Sequence, residues 1–277
     1  MRILVTNDDG IDSIGLHHLA RAAARHGEVV VAAPDSEYSG ASAAIGALHL
    51  ARPEIHKVHI DGIDEAWSVT GAPALCVMFA RLGVFGEPFD LVVSGINPGS
   101  NVGRSVYHSG TVGAAVTGRI GGISGIAFSQ AVEMWGVEGQ GWDDVLEAQK
   151  WETAAHVADV VIGAFVESPT DEPSVLNVNV PNCEIDELGK WRMTEVATMP
   201  PRTLSKATLE PKAGHDHAYR VVMNWGDPID LPVETDSGAV MKGEVSLTWL
   251  SRYTADSPAG CGGVEKTLEQ MWGPAQG

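Results

Sequence analysis

The sequence predicts an α/β fold, an open, mostly parallel, doubly wound sheet over residues 1–185 with a C-terminal β-rich extension over 186–277. Three observations point there. Short apolar runs rich in Val, Ile and Ala alternate with stretches of helical periodicity. Strand, helix and strand fit within residues 2–33, a βαβ unit whose right-handed crossover makes the two strands parallel. After residue 185 the alternation gives way to short strand-like pieces between polar, Pro- and Gly-rich stretches.

The elements follow in order. Residues 2–6 are a continuous apolar run, the mark of a strand buried on both faces. The turn cluster Asn7-Asp8-Asp9-Gly10 stops it. Residues 13–26 place Ile14, Leu19, Ala22 and Ala23 at helical spacing, and Gly27 ends that helix. Residues 28–33 form the second strand, closed by Pro34. The spacing then predicts a helix over 73–82, a strand over 90–94, a small-residue helix over 111–120 and a strand over 126–129. A long helix over 147–167 and a strand over 175–180, stopped by Pro181, complete the alternation. In the extension, 218–223 and 243–250 read as strands and form an arm suited to contacts between subunits. The Gly-rich tail beyond Pro258 is expected to lack order.

Composition narrows the function. Lys plus Arg total 18 and Asp plus Glu total 36, a formal charge of −18, which repels polynucleotides and anionic membranes. A small phosphorylated ligand is still compatible, because one bound cation inverts the field of a single cleft. Three widely spaced cysteines, Cys76, Cys183 and Cys261, form neither a disulfide framework nor a thiolate zinc site. The first residues lack the pattern of a secretory signal and no apolar run reaches membrane-spanning length, so a cytoplasmic protein is expected.

In an open parallel sheet, ligands bind at the carboxyl ends of the strands. Three polar clusters fall there: Asn7–Gly10, residues 34–40 with Ser39, and residues 94–101 with Asn97 and Asn101. Taken alone, Asp8-Asp9 fits either a solvated turn before a helix or a cation site. Oxygen donors from Asp, Asn and Ser suit Mg²⁺, Mn²⁺ or Ca²⁺. Ser109-Gly110-Thr111 precedes a helix, where free N–H groups favour an anion, although an N-cap explains Ser109 or Thr111 equally well. A metal beside an anion pocket is the layout of phosphoryl transfer.

The residues MRILVTNDDGID from Met1, Ala33-Pro34-Asp35 with Ser39-Gly40-Ala41-Ser42, and SGINPGSNVG from Ser94 resemble the SurE family of metal-dependent nucleotidases and acid phosphatases. SGTVGAA from Ser109, LNVNVP from Leu176, Thr235-Asp236 and GEVSLT from Gly243 extend the resemblance over nearly the whole chain. It implies a Rossmann-like domain whose C-terminal extension is exchanged between subunits of a homodimer or homotetramer. It implies one divalent ion per subunit, Mg²⁺ or Mn²⁺ foremost and Ca²⁺ as an alternative, on Asp8, Asp9, Ser39 and Asn97. Asn101, Ser109, Gly110 and Thr111 would line the phosphate pocket of a nucleoside 5′- or 3′-monophosphate. Asp8 and Asp9 would be catalytic, orienting a water or, for Asp8, attacking directly.

The sequence departs from the family in places that bear on substrate preference and rate. Arg104-Ser105 stands where acidic residues are usual, His108 replaces a Tyr, and Gly71-Ala72-Pro73-Ala74-Leu75-Cys76 lacks a hydroxyl and a carboxylate. Thr117 replaces a Glu and Trp249 a Pro. Arg104 is a candidate phosphate clamp or a surface pair, and His108 a candidate proton donor or a structural residue. A metal- or nucleotide-binding protein with little turnover is the rival reading. A receiver-like domain lacks its isolated acceptor Asp at a strand end, a haloacid-dehalogenase site needs a different Asp spacing, and no GxGxxG follows the first strand.

Overall fold

A computed structural model of the chain describes residues 1–47, 52–132, 142–199, 202–252 and 262–273. β1 (Arg2–Thr6) and β2 (Glu28–Pro34) lie parallel with Ile3 opposite Val29, joined by α1 (Ile14–Ala23). A hairpin of β3 (Ile55–Ile60) and β4 (Ile63–Val69) follows, then α2 (Pro73–Arg81), β5 (Leu91–Pro98) and a 3₁₀ turn at Gly103–Tyr107. Next come α3 (Gly110–Ile120), β6 (Ser124–Gln130), α4 (Trp142–Glu147), α5 (Trp151–Glu167) and β7 (Val175–Val180). The remainder holds β8 (Trp191–Met193), β9 (Arg202–Pro211), β10 (Tyr219–Pro228), α6 (Asp236–Met241), β11 (Val245–Trp249) and α7 (Gly262–Trp272).

Nine strands form one sheet in the order β3-β4-β2-β1-β5-β6-β7-β11-β8. The six from β4 to β7 are mutually parallel; β3 and β11 run against their neighbours β4 and β7. This is the mostly parallel, helix-flanked sheet that the sequence predicts. Because successive side chains of a strand point to opposite faces, β1 feeds two cores. Ile3 and Val5 join Leu16, Leu19, Phe128 and Ile162 under α1 and α5, while Leu4 joins Val30, Val77, Phe89 and Val92 under α2 and α3. From β1 the chain builds outward through β2 and β4, then returns to place β5, β6 and β7 on the other side. The reversal lies between β1 and β5, so their carboxyl ends flank the crevice where such sheets bind ligands.

Three elements differ from the expectation. The helix expected over 147–167 begins only at Trp151, as α5, with the separate α4 ending at Glu147, because Asn182 captures Lys150 N–H (2.9 Å) and the Ala148 carbonyl (3.2 Å) while Gln130 Nε2 donates to the Lys150 carbonyl (3.0 Å). The Lys150 N–H and the Ala148 carbonyl are thereby diverted from continuing α4, while the Lys150 carbonyl also accepts Thr153 N–H (3.0 Å) at the start of α5. The β3–β4 hairpin was not foreseen: its outward charges, as in Ile55-His56-Lys57-Val58-His59-Ile60, give no continuous apolar run. The tail is not devoid of order either, since α7 occupies Gly262–Trp272. Among the described residues β9 and β10 pair only with each other, as a separate two-stranded arm. Among the described residues no helix is long and apolar enough to cross a membrane.

Candidate active site

Asn7 sets the turn after β1. Its side chain donates to the Gly10 carbonyl (2.9 Å) and accepts from Gly10 N–H (3.3 Å), folding the chain so that Asp8 and Asp9 follow the strand end closely. The loop after β2 comes to the same place, with Tyr38 N–H donating to the Asp8 carbonyl at 2.7 Å. That loop then reaches the turn before α3: Ser42 N–H donates to the His108 carbonyl (3.0 Å) and Ser42 Oγ to the Tyr107 carbonyl (2.9 Å).

Asp8 is 2% exposed and lies against the start of α3. Thr111 Oγ1 donates to its Oδ1, and a Cβ added at Gly110 would come within 2.8 Å of Asp8 Cβ and Oδ2. Only glycine allows that approach. Burial pushes the Asp8 carboxyl above its ordinary range, while the Thr111 hydroxyl and backbone N–H pull it back. Asp9 is different. Both of its carboxylate oxygens are buried and neither has a hydrogen-bond partner among the described residues. Its carboxyl is held well above the usual range by burial first, then by the charges of Asp8 and Glu37.

Asn97 owes its position to an irregularity in β5. Ser94 pairs with Ala127 and Asn97 with Ser129, so β5 carries one extra residue against β6, a bulge that re-aims the strand end. Asn97 Nδ2 donates to the Gly99 carbonyl (2.6 Å), which leaves Oδ1 as the side chain's donor atom for a ligand. Ser39 is exposed, and its N–H is held by Glu37 Oε1 at 2.8 Å.

The residues expected to line an anion pocket are already engaged to different degrees. Ser109 Oγ caps α3 by accepting Val112 N–H (3.1 Å), with its own hydroxyl proton still available. Asn101 is buried: Nδ2 donates to Ser129 Oγ (2.9 Å), its N–H to Asn179 Oδ1 (2.8 Å), and its carbonyl accepts from Asn177 (2.8 Å) and Asn179 (3.2 Å). Arg104 and His108 are exposed, with no side-chain bond to Asp8 or Asp9, and Arg104 has no ion-pair partner among the described residues.

Sequence reasoning did not single out Glu37, Asn177, Asn179 or Asp236 as site residues. The signal for the asparagines was polar residues at i and i+2 of a strand buried throughout. Asp236 is fully buried and accepts Gly103 N–H (2.8 Å), Ala197 N–H (3.0 Å) and Ser237 N–H (2.7 Å), so the C-terminal segment fixes the loop after β5. Burial raises its carboxyl, and those N–H groups oppose the rise.

The donor set suits a hard cation. Two buried carboxylates repel each other and a third adds to the field, and the Asp9 oxygens have no other partner. Among the described residues no three His, Cys, Asp or Glu side chains form a metal cluster, so a cation here would also draw on neutral oxygens such as those of Ser39 and Asn97.

A family model described as "Survival protein SurE" matches residues 3–202. A crystal structure of the SurE protein from Aquifex aeolicus superposes with a TM-score of 0.73 at 28% identity, covering 98% of this chain and 99% of that one.

Proposed function

We propose, from the premise that the chain belongs to the SurE family, that it is a divalent-metal-dependent phosphomonoesterase acting on nucleoside 5′- or 3′-monophosphates. The observation that supports this most is Asp9, a buried carboxylate with two unpartnered oxygens beside the buried Asp8, at the sheet's switch point and next to the start of α3. Asp8, Asp9, Ser39 and Asn97 would hold one divalent ion. When bound, it supplies Lewis acidity and lowers the pKa of a coordinated water.

The chain's own groups then divide the work. Asp8 is held by Thr111, whose hydroxyl on Oδ1 blunts it as a nucleophile and favours water in that role over direct attack. Asp9 orients the attacking water through an oxygen that no other group occupies. The Ser109 hydroxyl and the N–H groups at the start of α3 steady the charge on the transferring phosphoryl group. The water oxygen bonds to phosphorus, the ester P–O bond breaks, and the alcohol leaves with a proton as inorganic phosphate forms. Arg104 and His108 stand exposed on the turn before Ser109, available to a leaving group or substrate phosphate but not to the carboxylates.

A homo-oligomer is part of the proposal. The β9–β10 arm exposes Leu209, Tyr219, Val221 and Met223, and α7 exposes Val264, Leu268, Met271 and Trp272 on one stripe. Apolar faces of this kind are normally covered by another chain. We place the protein in the cytoplasm.

The test is phosphate release from a panel of nucleoside monophosphates with Mg²⁺ or Mn²⁺ and with EDTA. Metal-dependent release is expected. No release from folded, metal-supplied protein would refute hydrolysis and leave nucleotide binding without turnover.

A further inference from the structure

Two buried glutamines beside the crevice take no part in the steps above. Gln130 ends β6 opposite Pro98, one register step beyond the Asn97–Ser129 pair, and its carbonyl accepts Gly99 N–H at 2.7 Å. It is 0% exposed; Nε2 donates to the Lys150 carbonyl, but among the described residues Oε1 accepts from nothing. Among the described residues Gln149, 6% exposed, has neither side-chain oxygen nor nitrogen bonded, and Trp151, 8% exposed, has no acceptor for its indole N–H. These groups belong to one neighbourhood, since Gln130 bonds the residue between Gln149 and Trp151. That neighbourhood touches the crevice. A Cβ on Gly15 would meet Trp151 Cζ3 at 2.8 Å and the Ile96 carbonyl at 2.1 Å, so the indole lies across Gly15 from the residue preceding Asn97.

Buried polar groups are nearly always satisfied, and a cluster that is not is a place for something absent from the folded chain alone. Its chemistry is specific. Two amide oxygens accept, one amide nitrogen and one indole nitrogen donate, and none carries charge. Such a set brings no charge to neutralise a phosphate, a carboxylate or a metal ion, and it matches a neutral heterocycle presenting donors and acceptors on one edge, as amides do when they read base edges.

We propose that Gln130, Gln149 and Trp151 form a subsite for the nucleobase of the substrate. The proposal rests on the phosphomonoesterase reading only for the phosphate end of that ligand. Base recognition predicts that the free nucleoside binds and that selectivity resides in Gln149. Gln149→Leu is the main variant, because it deletes two unbonded polar atoms at nearly constant volume and so retains the fold. Gln149→Glu keeps the acceptor and replaces the donor.

The experiment has two arms on the whole protein. Ligand-observed NMR measures binding of adenosine, guanosine, cytidine and uridine in EDTA, and steady-state kinetics compares their monophosphates with p-nitrophenyl phosphate in Mg²⁺ or Mn²⁺. We expect wild-type protein to bind at least one nucleoside and Gln149→Leu to lose it. The kcat/KM ratio of the preferred nucleotide over p-nitrophenyl phosphate should fall by about tenfold, and Gln149→Glu should reorder the bases. If wild type binds no nucleoside, or both variants retain its affinity and base ranking, the cluster holds only ordered water and the proposal is overturned. If wild type hydrolyses neither class yet binds nucleoside through Gln149, the subsite stands and the hydrolase reading falls.

Discussion

The two ends of the central strands treat charge in opposite ways. At the amino end, the Arg2 side chain is 12% exposed and fully partnered. Its guanidinium bonds Glu28 Oε1 (2.8 Å) and the carbonyls of Phe85 (2.8 Å) and Glu87, and lies 4.3 Å from the centroid of the Phe89 ring. Its own N–H is taken by Asp90 at 2.6 Å. At the carboxyl end, Asp8 and Asp9 crowd like charges into a buried crevice, and Asp9 has no partner. One end is built for stability and is complete; the other carries electrostatic cost where the proposed site lies. Local inconsistency of that kind is where function is expected.

The comparison breaks or sharpens in graded ways. The largest effect should come from Asp9→Asn, which we expect to lower metal-dependent phosphate release at least about a hundredfold, the scale of a lost transition-state contact, with the fold intact by circular dichroism. Activity near wild type would remove the site from this end of the sheet. Arg2→Met should do the reverse, costing about 2–3 kcal/mol in denaturant unfolding through lost charged hydrogen bonds, with kcat of the folded fraction hardly altered. A matching loss of kcat would show that the two ends are coupled. Gly110→Ala should cost about 1–2 kcal/mol by overpacking against Asp8 and weaken metal binding measured by calorimetry.

The next effect is a pH dependence. A carboxyl with a raised folded pKa binds its proton more tightly in the native state, so stability falls as pH rises from the unfolded value of about 3.8 through the folded pKa. In EDTA the melting temperature of the wild type should therefore drop across that window. Asp9→Asn should flatten the curve and raise Tm at neutral pH by a few degrees, on the order of 1 kcal/mol. A steeper curve in the variant would reverse the assignment. The smallest effect belongs to Lys242→Ala, which breaks an ion pair with Asp230 whose side chains are 52% and 83% exposed. Its cost should stay below about 0.5 kcal/mol in a urea titration, independent of metal.

Much of this fold was legible because its central strands are buried on both faces. β1 and β2 read as apolar runs, β7 as one broken only by Asn177 and Asn179, and Ser109 marks the start of α3, whereas α6 was not anticipated. The β3–β4 hairpin at the sheet edge mixes exposed and buried residues irregularly, so period alone missed it. The break before Trp151 depends on Asn182 and Gln130, distant residues that no window of sequence joins to Lys150. At the candidate site, the expectation for the aspartates and Asn97 came from strand ends and from family resemblance. The unmet hydrogen bonds of Asp9 and Gln149 were not, since satisfaction is a property of packing in three dimensions.

The reach of Asp236 across the fold also bears on synthesis. The loop carrying Asn101 and Gly103 leaves the ribosome long before the carboxylate that anchors it, and β11, which pairs with β7, emerges later still. A nascent chain interrupted between these points would hold Asp8 and Asp9 without the anchored loop after β5. On the proposed function, early termination should therefore yield an inert fragment, and phosphate release would report that translation passed residue 249.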